Sequence, residues 1–125
     1  MAASSEYVFN GHKRKLLHLH NPDGTAESGV VKIDVSDLTF NFGQVPSYVT
    51  VDRISYNVAG DPVLLHFDAN TDDVLAVLPA GQGEIDFTAY GGKTDPRSAG
   101  STGDVKLTAE EDTTYDISIE FRPKS

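Results

Sequence analysis

The sequence predicts an all-β, single-domain antiparallel β-sandwich, jelly-roll-like in type, with an N-terminal arm. Apolar residues recur with period two, the spacing at which side chains reach one face of a strand. Clusters of Gly, Pro, Asn and Asp separate the alternating runs at intervals that suit a sandwich. The length of 125 residues fits one ordinary domain, enough to bury a core and too short for two comfortable ones.

Tyr7 and Phe9 alternate, as do Leu17 and Leu19. Residues 1–20 are therefore expected as an arm or a strand, or a pair of strands, ahead of a sandwich domain over residues 21–125. Asn21-Pro22-Asp23-Gly24 turns the chain, Val31, Ile33 and Val35 alternate, and Ser36-Asp37-Leu38 can start a single helical turn. Ile54, Tyr56 and Val58 form the next alternating run, closed by Ala59-Gly60-Asp61-Pro62; Val63, Leu65 and Phe67 follow. Residues 74–78 read equally as a buried strand or one helical turn. After the breaker Pro79-Ala80-Gly81-Gln82-Gly83 come Ile85 and Phe87, then Gly91-Gly92. The stretch DPRSAGSTG at 95–103 is an exposed connecting loop able to meet a partner. Val105 and Leu107 lead to the clearest strand, where Tyr115, Ile117, Ile119 and Phe121 alternate with Asp116, Ser118, Glu120 and Arg122.

Composition narrows the function classes. No apolar run approaches the ~18–20 residues of a membrane span, so no membrane partner is expected. The N-terminal stretch lacks the apolar centre of a secretory signal, which predicts synthesis in the cytosol. With no cysteine there is no disulfide, thiolate nucleophile or cysteine zinc site. A net charge of −9 disfavours direct nucleic-acid binding, which needs clustered Lys and Arg. The charge is uneven, because Lys13, Arg14 and Lys15 face only Glu6 within residues 1–20. This basic segment is a candidate for docking on an acidic partner, or a solvated terminus.

Several groups invite a chemical reading. FDANTDD at 67–73 places Asp68, Asn70 and Asp72 at the first three oxygen positions of a calcium loop. Asp73 and Pro79 then stand where an EF-hand needs its Gly and its bidentate Glu, so an EF-hand is excluded. A β-loop calcium site or a strand-ending Asx turn remains. His18 and His20 share a strand face near His12 and could begin a zinc or nickel site, but no third ligand has an obvious spacing. His66 is out of phase with Val63, Leu65 and Phe67 and belongs on the opposite face. Glu84 and Asp86 form a carboxylate pair of the kind glycosidases use, which is also routine on a solvated strand face. Tyr48, Tyr56 and Tyr90 are possible stacking platforms for a glycan. Nucleophile-elbow and phosphate-loop motifs are missing from the sequence, and neither a catalytic residue nor a cofactor is expected.

The runs Ile54-Ser55-Tyr56-Asn57-Val58-Ala59-Gly60, FDANTDD with its preceding strand, Gly83-Glu84-Ile85-Asp86-Phe87, Gly103-Asp104-Val105-Lys106-Leu107-Thr108 and the closing strand resemble, in order and spacing, small virion structural proteins of tailed bacteriophages. The resemblance implies a noncatalytic capsid decoration or cement protein on the virion surface. It would contact the major capsid protein and neighbouring copies of itself, as a homotrimer, with loops 41–47 and 95–103 supplying shape. A tail or head-to-tail component, or a glycan- or calcium-binding module, is the alternative.

Overall fold

The computed structural model describes residues 4–11, 13–38 and 45–124. The described residues form ten strands: β1 (Ser4–Asn10), β2 (Lys15–Asn21), β3 (Glu27–Ile33), β4 (Tyr48–Ala59), β5 (Val63–Phe67), β6 (Asp73–Leu78), β7 (Gly81–Asp86), β8 (Lys93–Thr94), β9 (Val105–Ala109) and β10 (Thr114–Lys124). They form two sheets. The six-stranded sheet runs β1-β2-β10-β4-β7, with β8 beside β7 on β4, and the four-stranded sheet runs β3-β9-β5-β6. Every pairing is antiparallel, and the chain passes repeatedly from one sheet to the other. This is the all-β, jelly-roll-like sandwich the alternation predicts.

The core lies between the sheets and is built from the inward half of each alternating run. Leu17 and Leu19 of β2 meet Ile117, Ile119 and Phe121 of β10, Ile54 of β4, and Leu65, Phe67 and Leu107 from the opposite sheet; all are buried. Each such burial stabilises the fold by about 1.5–3 kcal/mol before chain entropy is counted. The expected N-terminal segment carries β1 and all of β2 but Asn21, so the expected division at residue 20 falls inside β2. Residues 74–78 belong to strand β6, and the helical turn expected near Ser36 is a 3-10 turn at Val35–Asp37, with another at Thr88–Tyr90.

One run differs from its simple pattern. Ile33 and Val35 are buried, but Val31 is 42% exposed, because the β3–β9 register shifts between Val31 and Ile33. Bulges of this kind move side chains to the other face.

The longest ladder joins β4 to β10, from Thr114 opposite Ala59 to Lys124 opposite Tyr48, with a register shift that leaves Asp52 as the extra residue. That extra residue changes which side chains face inward: Val49 and Val51 are buried before it, Ile54 and Val58 after it. Asp52 is itself buried and is held by Arg122, whose Nε donates to both carboxylate oxygens at 3.1 and 3.0 Å and whose Nη2 donates at 2.9 Å. Arg122 also donates to the Gly91 carbonyl at 2.8 Å. Gly92, at φ +98, lies so close that a Cβ would meet Thr50 Cγ2 at 2.4 Å.

Arg122→Ala leaves the buried Asp52 charge unpaired and is expected to cost about 3 kcal/mol of stability. Arg53→Ala, which removes exposed pairs with Glu84 and Asp86, is expected to cost less than about 1 kcal/mol. Urea unfolding of the two variants checks the order.

Candidate functional site

The sandwich offers three places for chemistry: the loops at the end of β5, the outer face of the six-stranded sheet, and the open edge between the sheets.

At the first, Asp68 and Asp72 come together, but around an ammonium group supplied by β9. Lys106 Nζ lies 3.1 Å from Asp68 Oδ1 and 2.8 Å from Asp72 Oδ2. The remaining oxygens are also engaged: Thr102 Oγ1 donates to Asp68 Oδ2 at 2.8 Å, and the Ala69 amide donates to Asp72 Oδ1 at 3.1 Å. The Asn70 carboxamide is packed over Gly100, where a Cβ would meet its oxygen at 2.1 Å. FDANTDD is therefore tied to the 95–104 segment by the Asn70 amide donating to the Ala99 carbonyl and the Thr102 amide to that of Asp68. A lysine occupies the position that a cation would take. Among the described residues no three His, Cys, Asp or Glu side chains are placed to hold a metal ion.

The outer face of the six-stranded sheet is a grid of polar rows. One row runs Glu6, His18, Ser118, Ser55, Glu84 and the next Ser4, His20, Asp116, Asn57, Gln82. His18 Nε2 meets Asp116, and its ring stacks on His20 with centroids 6.1 Å apart. Glu84 and Asp86 pair with Arg53 at 3.1 and 3.4 Å, so this carboxylate pair is spent on a cross-strand ion pair. An open furrow of about 530 Å³ follows the small residues Ser55 and Ser118, with Tyr56, Gln82 and Glu84 along it. His66 faces away from the core on the other sheet, as its phase requires, and is half-buried.

The remaining candidates disperse. Lys13 and Arg14 are exposed, Arg14 Nε lying 3.6 Å from Glu120, while Lys15 turns inward to within 5.9 Å of the Tyr7 ring. These three cations form no single docking surface. Tyr48 lies under Arg97 at 5.4 Å, Tyr56 lies against Gly83 near the core, and Tyr90 stands 87% exposed on a separate turn. No stacking platform assembles from them. His12 and residues 41–44 of the expected contact loop lie outside the described residues.

The third place was not visible in the sequence. Where β1 edges one sheet and β3 the other, a cleft of about 350 Å³ opens between Tyr7, Leu17 and Val31, with Ser5, Glu6, Lys32, Asp34 and Asp37 around it. Pairing sets these positions: Tyr7 stands opposite Leu17 on the inner face, and Glu6 opposite His18 on the outer. Asp34 caps the 3-10 turn, its Oδ1 accepting from the Ser36 amide at 2.9 Å and the Ser36 hydroxyl at 2.6 Å. That turn carries Asp37 to the rim. Lys32 is paired with the buried Glu27, which also accepts the Tyr115 hydroxyl. Burial, then the charges of Asp37 and Asp34, push the Tyr7 phenol up to about 12. It is a neutral hydroxyl at ordinary pH.

No protein-family profile and no curated protein matches the chain. Solved structures do. It resembles a cupin domain from Bordetella pertussis Tohama I, at 12% identity over 99% of this chain and 95% of that one, TM-score 0.43. It also resembles an RmlC-like cupin protein from Desulfovibrio desulfuricans, at 11% identity over 99% and 85%, TM-score 0.39. A third similar structure is a Klebsiella pneumoniae protein with a double-stranded β-helix domain, at 9% identity over 98% and 80%, TM-score 0.39. The likeness reaches no further than the class of fold. The expectation of a phage capsid decoration or cement protein, with its tail and connector variants, is set aside: the solved structures found are cupin-like proteins and no virion protein is among them. Residues 54–60, 63–72 and 115–122, on which that expectation leaned, are alternating strands with their turns. Any antiparallel sandwich requires such segments.

Lys106→Met gives a direct test of the FDANTDD reading. The Lys106 hydrogen bond, then that of the Ala69 amide, holds the Asp72 carboxyl below its ordinary range. The folded state therefore binds this proton less readily than the unfolded chain, and the stabilisation is present above about pH 4 and lost as pH falls further. Lys106→Met should flatten that acid loss in thermal melts from about pH 5 to 2. It should also make the melting temperature respond to about 5 mM calcium, to which the native chain should be indifferent.

Proposed function

We propose that the protein is a noncatalytic binding module that holds a small amphipathic ligand in the cleft between β1 and β3. The observation that supports this reading is the meeting of an apolar wall, Tyr7, Leu17 and Val31, with a rim of hydroxyl and charged groups in one concavity of about 350 Å³. Sites for small molecules are commonly concavities of about 300–1,000 Å³, apolar in the main, with a few polar groups that fix orientation. The outer-face furrow is larger but lies open on the sheet surface, and the core between the sheets is filled by Phe67, Phe121 and their aliphatic neighbours.

The noncatalytic part of the reading rests on how the cleft's ionisable groups are engaged. Lys32 is held by Glu27, Asp34 by Ser36, and Tyr7 keeps its proton. A catalytic nucleophile needs an adjacent base within hydrogen-bond reach. These side chains instead supply anchoring charge and one neutral hydroxyl.

Val31→Phe tests the site by filling it. Val31 is 42% exposed on an edge strand, so the change should alter stability by less than about 0.5 kcal/mol. Ligand-observed saturation-transfer NMR with a panel of small amphipathic fragments should give signals for the native chain that Val31→Phe abolishes. Signals that survive the substitution would overturn the reading.

A further inference from the structure

We infer that β7 is a docking edge for β7 of a second copy of this chain, the two strands pairing antiparallel about a two-fold axis at Gly83. Among the described residues the two sheets end in β1, β7, β3 and β6. Three of these edges are interrupted by register shifts: β1 between Tyr7 and Phe9, β3 on either side of Val30 and Val31, and β6 at Leu75. Such bulges turn an edge away from an added strand. Of the four, β7 alone keeps an unbroken register with its neighbour, from Arg53 opposite Asp86 to Val58 opposite Gly81. It holds neither Lys nor Pro, the residues that commonly blunt an edge. β8 meets β4 only at Thr50 and Val51, short of the residues that β7 pairs with. Every second residue of such an edge turns its amide and carbonyl outward, where a further strand can receive them.

The side chains suit a copy of the same strand. Residues opposite each other in an antiparallel pair share a face, so an axis at Gly83 sets Gly83 against its mate, Gln82 against Glu84 and Gly81 against Ile85. On the outer face a carboxamide then meets the Glu84 carboxylate, whose charge Arg53 already balances at 3.1 Å. Moving the axis one residue, to Glu84, would set two like carboxylates side by side, which is destabilising. On the inner face the glycines leave room. A Cβ on Gly81 would meet nothing within 4 Å, and Ile85 of the second copy fills that space. Tyr56 leans across Gly83, where a Cβ would meet its Oη at 2.5 Å, so the two rings approach one another over the paired glycines. The hydrophobic residues that pack on the core yet stay partly exposed, Tyr56, Ile85 and Phe87, all lie on or beside this edge. A two-fold contact uses both edges and closes, so assembly stops at two chains.

Sedimentation equilibrium of the full chain, from about 5 to 500 µM in ~0.15 M salt, tests the edge. The weight-average mass should climb from one chain toward two and stop there. Gln82→Lys sets a cation against Glu84 twice in each dimer and should tighten association about fivefold, while Gln82→Glu sets like charges together and should weaken it about fivefold. Gln82 is exposed, so both variants should fold as the native chain does. Glu84→Gln should leave the association constant within about twofold; a markedly tighter dimer would move the axis to Glu84 and overturn the register. A single-chain mass throughout, a mass that settles at three chains, or association that both Gln82 variants leave unchanged would overturn the docking edge itself.

Discussion

The β4–β10 ladder is the constraint on which the rest of the sandwich depends. It is the longest pairing in the molecule, and β2, β7 and β8 all attach to one of its two strands. It holds together two stretches of β4 with opposite phase, made continuous by one extra residue at Asp52. Without the bulge, either Val49 and Val51 or Ile54 and Val58 would turn to solvent, since a one-residue slip exchanges the faces of a strand. The local cost is a buried carboxylate, and Arg122 from the opposite strand offsets it with three hydrogen bonds. The same guanidinium reaches Gly91, so the turn before β8 is fixed by the group that fixes the bulge.

This arrangement decides where chemistry can occur. With both halves of β4 contributing to one core, the space between the sheets is occupied by aliphatic and aromatic side chains. Ligand chemistry is left to the outer faces, the loops and the edges. On the outer face and in the loops the charged side chains largely neutralise one another, as Arg53 does with Glu84 and Lys106 with Asp68 and Asp72. At the β1/β3 edge Lys32 is taken by Glu27, and Asp34 and Asp37 are set by a short turn whose own hydrogen bonds use no cation. The cupin-like likeness bears on the class of fold alone, so the edge cleft stands on its own geometry.

Much of the fold was legible because period-two alternation is a local property. β5 was predicted at its full extent from Val63 to Phe67, and β10 from its four inward residues. The start of β4 was not, since Asp52 breaks the alternation just where the strand continues; the signal was present as Val49 and Val51 in one phase and Ile54 and Val58 in the other. Val31 was misplaced for a related reason, a register shift that no single strand reveals. The sites were less legible than the strands. FDANTDD carries its acids in sequence, but the lysine that neutralises them lies on β9. The cleft joins Tyr7 to residues 31–37 across two sheets, a proximity that exists only once β1 and β3 have become facing edges. The phage resemblance failed on the same ground, because strand-and-turn segments record local geometry and not the surface a partner would touch.

Native-state amide hydrogen exchange is the most direct check that a rigid β4–β10 seam closes the interior and leaves the β1 and β3 edges as the places where the sandwich opens. The account predicts that Ile54, Ser55, Ile117 and Ser118 exchange only through global unfolding, while amides of β1 and β3 open at substantially lower free energy. Exchange in β1 and β3 as slow as in β10, or a β4–β10 seam that opens first, would contradict it.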